Sequence, residues 1–306
     1  MDAITIKNVT KTYNTTDVLK RVNLTVPQGE SYSLMGPNGS GKTTLVSIIA
    51  SIRSPTSGIV KIFGKLPEDA RSLIGYVPQE NFSSPLLTGK ENLMYFARIL
   101  GFSKEEAASL ADDLLDKIGL LKDADKRVAQ YSGGMRKRLE VATALFPGIK
   151  LLILDEPTTG LDPSARRTFF GLLEEIKEKD TTILLVTHIG ADAELAKRVG
   201  LIDKGVIIAE GEPEELKDES GLENALTVET VVKSGTVVGV LKRFGDPVLE
   251  TDTGYRIHCK NAEEIIPDMV RSLDAAGVKV TRLEMTKPTL EDVFFHLTGK
   301  SVEVNE

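Results

Sequence analysis

Two short stretches combine residue types and spacings suited to phosphate chemistry. The first, Gly36-Pro37-Asn38-Gly39-Ser40-Gly41-Lys42-Thr43, has the spacing of a phosphate-binding loop that follows a strand and opens a helix. Glycine lets successive backbone N–H groups turn inward around phosphate oxygens. The N-terminus of the following helix adds a positive dipole end, Lys42 is suited to neutralising β and γ oxygens, and the Thr43 hydroxyl can ligate magnesium. Thr44 is taken with the loop as a nucleotide-binding residue. A plain glycine-rich turn is the competing reading, and the loop alone says only "nucleotide".

The second stretch is Leu151-Leu152-Ile153-Leu154, which delivers Asp155 and Glu156 to the carboxyl end of a strand, the edge where open α/β sheets bind ligands. Two adjacent carboxylates repel, and magnesium relieves that repulsion. Asp155 would hold the ion, through water, while Glu156 polarises the water that attacks a γ-phosphate. The rival is a solvated acidic turn before Pro157.

These residues need a sheet to hold them. Ile4 to Val9, Val22 to Val26 and Ser31 to Met35 read as strands of one sheet, broken by the turn-prone Asn14-Thr15-Thr16 and Pro27-Gln28-Gly29. A helix is expected near Thr43 to Ala50, with strands at Ile59 to Phe63 and Leu73 to Val77. Between Thr88 and Gln130 the pattern turns helical. Leu93, Phe96, Ala97 and Leu100 form one apolar stripe and Leu110, Leu114, Leu115 and Ile118 another. Leu151 to Leu154 and Thr182 to Thr187 are apolar or β-branched runs separated by the helix-like Ala165 to Lys179, the pattern of buried parallel strands with a crossover.

The fold class is therefore α/β over residues 1–220, with a helical subdomain at about 80–145. The acidic stretch Glu210 to Glu223 closes that domain. Residues 221–306 read as a small α+β domain: strands around Val231 to Leu241, Gly254 to Cys259 and Val278 to Leu283, and helices Ala262 to Ala276 and Thr289 to Thr298.

Composition narrows the classes. With 306 residues, 41% hydrophobic and 27% charged, the chain has ordinary globular proportions. A net charge of −7 offers no general attraction to nucleic acid or anionic lipid, so no nucleic-acid partner is expected. The lone cysteine, Cys259, implies a reducing, cytoplasmic setting. The opening Met1-Asp2-Ala3-Ile4-Thr5 lacks a secretory pattern, and no apolar run approaches the roughly 18 residues that span a bilayer. A membrane role would need another chain.

Tyr131-Ser132-Gly133-Gly134-Met135, about twenty residues before Asp155, resembles the signature peptide of ATP-binding-cassette ATPases. Gln79 in Tyr76-Val77-Pro78-Gln79, Thr159-Gly160-Leu161-Asp162, and His188 after the strand Thr182 to Thr187 match the remaining cassette elements in order. The resemblance covers residues 1 to about 220 and implies a P-loop cassette hydrolysing ATP with Mg2+. It makes Gln79 a contact to magnesium and the attacking water, His188 the γ-phosphate contact, Asp162 a nucleotide-site residue, and Tyr13 an adenine-stacking aromatic. It also implies that Ser132, Gly133 and Gly134 form a second anion site, closing on ATP held by the opposite protomer of a homodimer.

Arg136, Lys137 and Arg138 fit the first turn of the following helix poorly. Either they face water or acidic partners compensate them. Tyr131 and Met135 stand where the family usually has leucine and glutamine. With the basic cluster and the closing Pro288 to Gly299, they resemble the drug-resistance, sodium-efflux and polysaccharide exporter branch. The protein would then be peripheral on the inner face of the membrane through a separate multi-span permease. Alternatives are a soluble cassette acting on ribosomes or DNA, and an importer cassette with a regulatory tail. Phe82 lies in the loop after Gln79, either covered by a partner's helix or folded back onto the subdomain. His258, Cys259 and His296 read as structural.

Overall fold

A computed structural model describes residues 1–177, 181–222, 224–259, 262–299 and 302. The ends of two expected helical stretches, at Lys179 and Glu223, lie outside the described residues. The chain divides into two compact units, Met1–Pro213 together with Ser301–Glu306, and Glu214–Lys300.

In the first unit, β1 (Asp2–Tyr13) and β2 (Thr16–Pro27) form a long hairpin, turning at Asn14 with φ 51°, a left-handed conformation that asparagine tolerates. Then come β3 (Ser31–Met35), α1 (Lys42–Ile49), β4 (Ser57–Ile62) and β5 (Ile74–Val77). The helical segment holds α2 (Gly89–Ile99), α3 (Lys104–Lys117) and α4 (Gly133–Ala142). The unit continues through β6 (Leu151–Asp155), α5 (Pro163–Lys177), β7 (Thr182–Thr187), α6 (Gly190–Ala193), β8 (Arg198–Asp203) and β9 (Val206–Gly211).

The first three strands do not share one sheet, contrary to the sequence expectation. β1 and β2 join β4 in an antiparallel sheet ordered β2-β1-β4, whereas β3 sits inside a six-stranded sheet ordered β5-β6-β7-β3-β8-β9. Burial explains the split. β2 alternates buried and exposed positions toward its end, as a sheet with one wet face does, while β3 is buried at every residue between parallel neighbours β7 and β8. The parallel pairs β3–β7 and β6–β7 bring Met35, Asp155 and Thr187 to one carboxyl edge.

The helices start where side chains satisfy their free amides. Thr88 with Glu91 and Ser103 with Glu106 make reciprocal capping boxes for α2 and α3, and Ser132 caps α4. Leu93, Ala97, Leu114, Leu115, Ile118 and Leu139 bury together. Leu100 does not join them: it follows the last turn of α2 and is 60% exposed.

The second unit comprises α7 (Pro213–Glu219, entered at Glu214), β10 (Ala225–Thr230), α8 (Gly235–Leu241), β11 (Val248–Glu250), β12 (Gly254–His258), α9 (Ala262–Ala275), β13 (Val280–Thr286) and α10 (Leu290–Thr298). Its antiparallel sheet runs β11-β12-β10-β13. Val231 to Leu241, expected as a strand, instead lies beyond the end of β10: an exposed Val231-Val232 bend leads into helix α8. Ser234 accepts from Val237 N and buries Val237 and Leu241 one turn apart. The cap and packing override the strand preference of the β-branched run.

Candidate functional site

Backbone conformation shapes the loop between β3 and α1. Gly36 N donates to Thr187 O at 3.3 Å, tying the loop to β7. A Cβ on Gly36 would meet Ile202 O at 2.1 Å, so no side chain fits there. Gly41 enters α1 at φ 107°, a conformation glycine reaches readily. The loop curls round the Lys42 ammonium, which donates to Gly36 O at 2.7 Å and Pro37 O at 3.0 Å. Burial pushes the pKa of Lys42 down, with Glu156 and Asp155 pulling it back up. Asn38 and Gly39 are exposed, Ser40 is buried with an unpartnered hydroxyl, Thr43 is exposed and Thr44 half-buried.

At the end of β6 the two carboxylates diverge. Asp155 is buried, and its Oδ1 has no hydrogen-bond partner, while Tyr76 donates its hydroxyl to Oδ2 at 3.4 Å. Burial and then the Glu156 charge raise the Asp155 pKa, against weaker opposition from Thr43, Lys42 and Tyr76. Glu156 takes φ 48°, a left-handed conformation costly for a non-glycine residue, and its amide bonds Val186 O at 2.8 Å.

Three of the residues singled out from sequence meet on Glu156. Lys42 Nζ lies 3.7 Å from Oε1. Gln79 Nε2 donates to Oε2 at 3.0 Å, and His188 Nδ1 lies 3.3 Å from the same oxygen. Gln79 is 77 residues away in sequence; β5 pairing with β6 carries it there.

Other expected site residues stand elsewhere. Ser132 and Gly133 are exposed at the start of α4, and the Ser132 hydroxyl accepts from Met135 N at 3.2 Å. A Cβ on Gly134 would lie 2.8 Å from Ala165 Cβ, so this segment sits against the start of α5. Asp162 is exposed and accepts from Ser164 N and Ala165 N at 2.9 and 3.0 Å, a local helix cap. Tyr13 ends β1 half-buried, with Lys11 5.0 Å and Arg53 5.7 Å from its ring centroid.

The basic cluster has partners inside the protein. Arg136 and Lys137 reach the buried Glu140 at 3.5 and 3.4 Å, and Arg138 donates to Ile118 O at 2.7 Å. Phe82 folds back, half-buried, with its ring 5.5 Å edge-to-face from Phe96. His258 lies 3.5 Å from Asp292, as a structural residue would.

Sequence reasoning gave no role to Tyr76, Thr158, Arg166 or Asp192. Tyr76 reaches Asp155 from the neighbouring strand. Asp192, fully buried, binds the Thr158 hydroxyl and the Arg166 guanidinium, joining the segments after Glu156 and His188. Their only sequence signal was position beside the motif residues. Among the described residues no cluster of three or more His, Cys, Asp or Glu could hold a metal ion unaided.

Comparison with known proteins decides the family. Residues 19–159 match the ABC transporter family and residues 211–298 the C-terminal domain of ATP-binding proteins like DrrA1-3. The chain is 34% identical over 313 residues to the daunorubicin resistance ATP-binding protein DrrA3 of Streptomyces coeruleorubidus, covering 99% of this chain and 98% of that one. This chain belongs to the ABC transporter family. As an ABC ATPase it binds and hydrolyses ATP. It is also 36% identical to the Nod factor export ATP-binding protein I of Sinorhizobium fredii, over 98% of this chain and 87% of that protein. A dimeric ATP-binding cassette solved in a post-hydrolysis state with ADP and Pi superposes with a TM-score of 0.62, at 32% identity over 68% of this ABC protein and 98% of the cassette. No described helix of this ABC ATPase is long and apolar enough to cross a membrane.

Proposed function

We propose that the chain is the ATP-hydrolysing subunit of a membrane exporter, working as a homodimer on a separate multi-span permease from the inner face of the membrane. Residues 1–220 form the cassette, and 221–306 an accessory domain. The observation that carries this reading is the convergence of Lys42, Gln79 and His188 on Glu156. Export is what the name of the Nod factor relative describes, and drug resistance what that of the daunorubicin relative describes.

The loop Gly36–Thr43, with Thr44, holds the phosphates, and Lys42 exchanges its loop carbonyls and Glu156 for phosphate oxygens. Tyr13 carries the adenine. The residues present fit magnesium: Asp155 Oδ1 is buried without a partner, beside Thr43, and Gln79 reaches the same edge. Asp155, Thr43 and Gln79 would hold the ion, which would supply positive charge to offset that of the phosphates. Glu156 accepts the proton of the attacking water as its oxygen bonds the γ-phosphorus and the bridging oxygen leaves with ADP. His188 and Gln79, already on Oε2, orient that water. Ser132, Gly133 and Gly134, with Asp162, complete the site of the opposite protomer: exposed amides at a capped helix start suit an anion. The permease meets the helical subdomain, where Tyr95 and Ile99 lie exposed one turn apart on α2 and Leu86 precedes it, 77% exposed.

The test is light scattering on the full chain carrying Glu156→Gln. MgATP should raise the dimer fraction over the nucleotide-free and ADP samples. Adding Ser132→Arg should abolish that increment, and an undiminished increment overturns the shared site.

A further inference from the structure

A carboxylate that catalysis does not use occupies a decisive place between two functional segments. Glu140, on α4, has 0% exposed surface. Its Oε1 accepts from Ser83 Oγ at 2.8 Å, Phe82 N at 3.2 Å and Ser83 N at 3.4 Å. All three donors belong to the loop that follows Gln79. From its own helix come Arg136 Nε at 3.5 Å and Lys137 Nζ at 3.4 Å. Those two cations also reach across: Arg136 donates to Ser83 Oγ at 2.9 Å and Ser83 O at 2.7 Å, and Lys137 to Gln79 O at 3.5 Å.

A buried charge is costly unless paired and hydrogen-bonded, so this cluster holds one arrangement and resists intermediates. The loop cannot shift against α4 without breaking hydrogen bonds to a buried carboxylate. The loop starts at Gln79, which touches Glu156, and α4 starts at Ser132.

We propose that Glu140 is a positioning residue: with Arg136 and Lys137 it clamps the loop after Gln79 onto α4, so that Ser132, Gly133 and Gly134 follow the state of Gln79 and Glu156. This rests on the role proposed above for those three residues. It gives the basic cluster a purpose in the site. Positive charge in the first turn is tolerated because its compensating anion is the clamp itself.

Hydrogen exchange on the full chain tests it, in a Glu156→Gln background with and without MgATP. In that parent, MgATP should slow exchange at 79–85 and 132–136 together. With Glu140→Ala added, MgATP affinity should persist and exchange at Phe82 and Ser83 should rise in both states because their amides lose their acceptor, while the MgATP-induced protection at 132–136 falls by about 10- to 10²-fold, the scale of losing a hydrogen bond to a charge. A purely structural Glu140 would raise basal exchange yet leave the MgATP-induced slowing at 132–136 equal to the parent's, and that result overturns the proposal. Should Glu140→Ala lose protection throughout the cassette, Ser83→Ala decides, since it removes only the hydroxyl that Glu140 and Arg136 share: a fully paired response there overturns the clamp. A parent with no response at 132–136 instead refutes the shared ATP site, and the clamp falls with it.

Discussion

Asp155 in the first unit and Asp292 in the second are both withdrawn from water, yet their surroundings differ in kind. Asp292 receives Arg256 Nη2 at 2.6 Å, Thr289 N at 2.8 Å and the Thr289 hydroxyl at 2.8 Å, with His258 3.5 Å away. Burial pushes its pKa up, but hydrogen bonds from His258 and Thr289 and the Arg256 charge win and hold it below the usual carboxylate range. Asp155 has a long hydrogen bond from Tyr76, with Thr43 alongside and Oδ1 without a partner in hydrogen-bond geometry, and burial and the Glu156 charge raise its pKa. The satisfied carboxylate ties a closing helix to a sheet. The under-satisfied one is a cost that a cation would remove, and it stands beside the phosphate loop.

Asp155→Asn should give the largest effect. It removes a proposed magnesium ligand, so hydrolysis should fall by at least about 10². The same substitution should leave the nucleotide-free chain as stable or more stable, because it deletes a disfavoured buried charge. Phosphate release and calorimetry on one preparation read both. A nucleotide-free protein clearly less stable than the parent would break the contrast with Asp292.

Asp292→Asn should do the reverse and destabilise the second unit by about 3 kcal/mol, the scale of stripping one partner from a buried ion cluster. The pH dependence sharpens the comparison. Asp292 has a depressed folded pKa, so its contribution is present above its unfolded value of about 3.9 and lost as pH falls through the folded one. The difference between parent and Asp292→Asn should therefore shrink in acid. Asp155, with a raised folded pKa, has its relative contribution below about 3.9 and loses it as pH rises through the folded value, so Asp155→Asn should gain on the parent toward neutral pH. Hydrogen exchange of β10 and β12 against that of β6, across pH, separates the two.

What could be read in the sequence follows the range of the interactions. The phosphate loop and Asp155-Glu156 are contiguous, and each residue type has its own reason to be there. The meeting of Gln79 and His188 with Glu156 depends on strand order in a sheet, which no local pattern encodes, and only family resemblance brought them forward. Tyr76 and Asp192 act through partners far away in sequence, so their place beside the motif residues is the only sign their own segments carry. The basic cluster on α4 leaves open whether it faces water or meets an acidic partner, because Glu140 lies one turn on and its other partners on a distant loop. Local preference misled at α8, where a β-branched run forms a capped helix, and at Leu100, where spacing extended a stripe beyond the helix end. The sequence leaves Phe82 between two placements, and its edge-to-face contact with Phe96 puts it on the subdomain.

The claim on which the rest depends is that Glu156 accepts the proton of the water that attacks ATP. Single-turnover phosphate release from Glu156→Gln, with MgATP binding measured on the same protein, tests it most directly. Binding should be retained and release slowed by about 10² to 10⁴. Release at the parent rate with ATP fully bound would contradict the assignment.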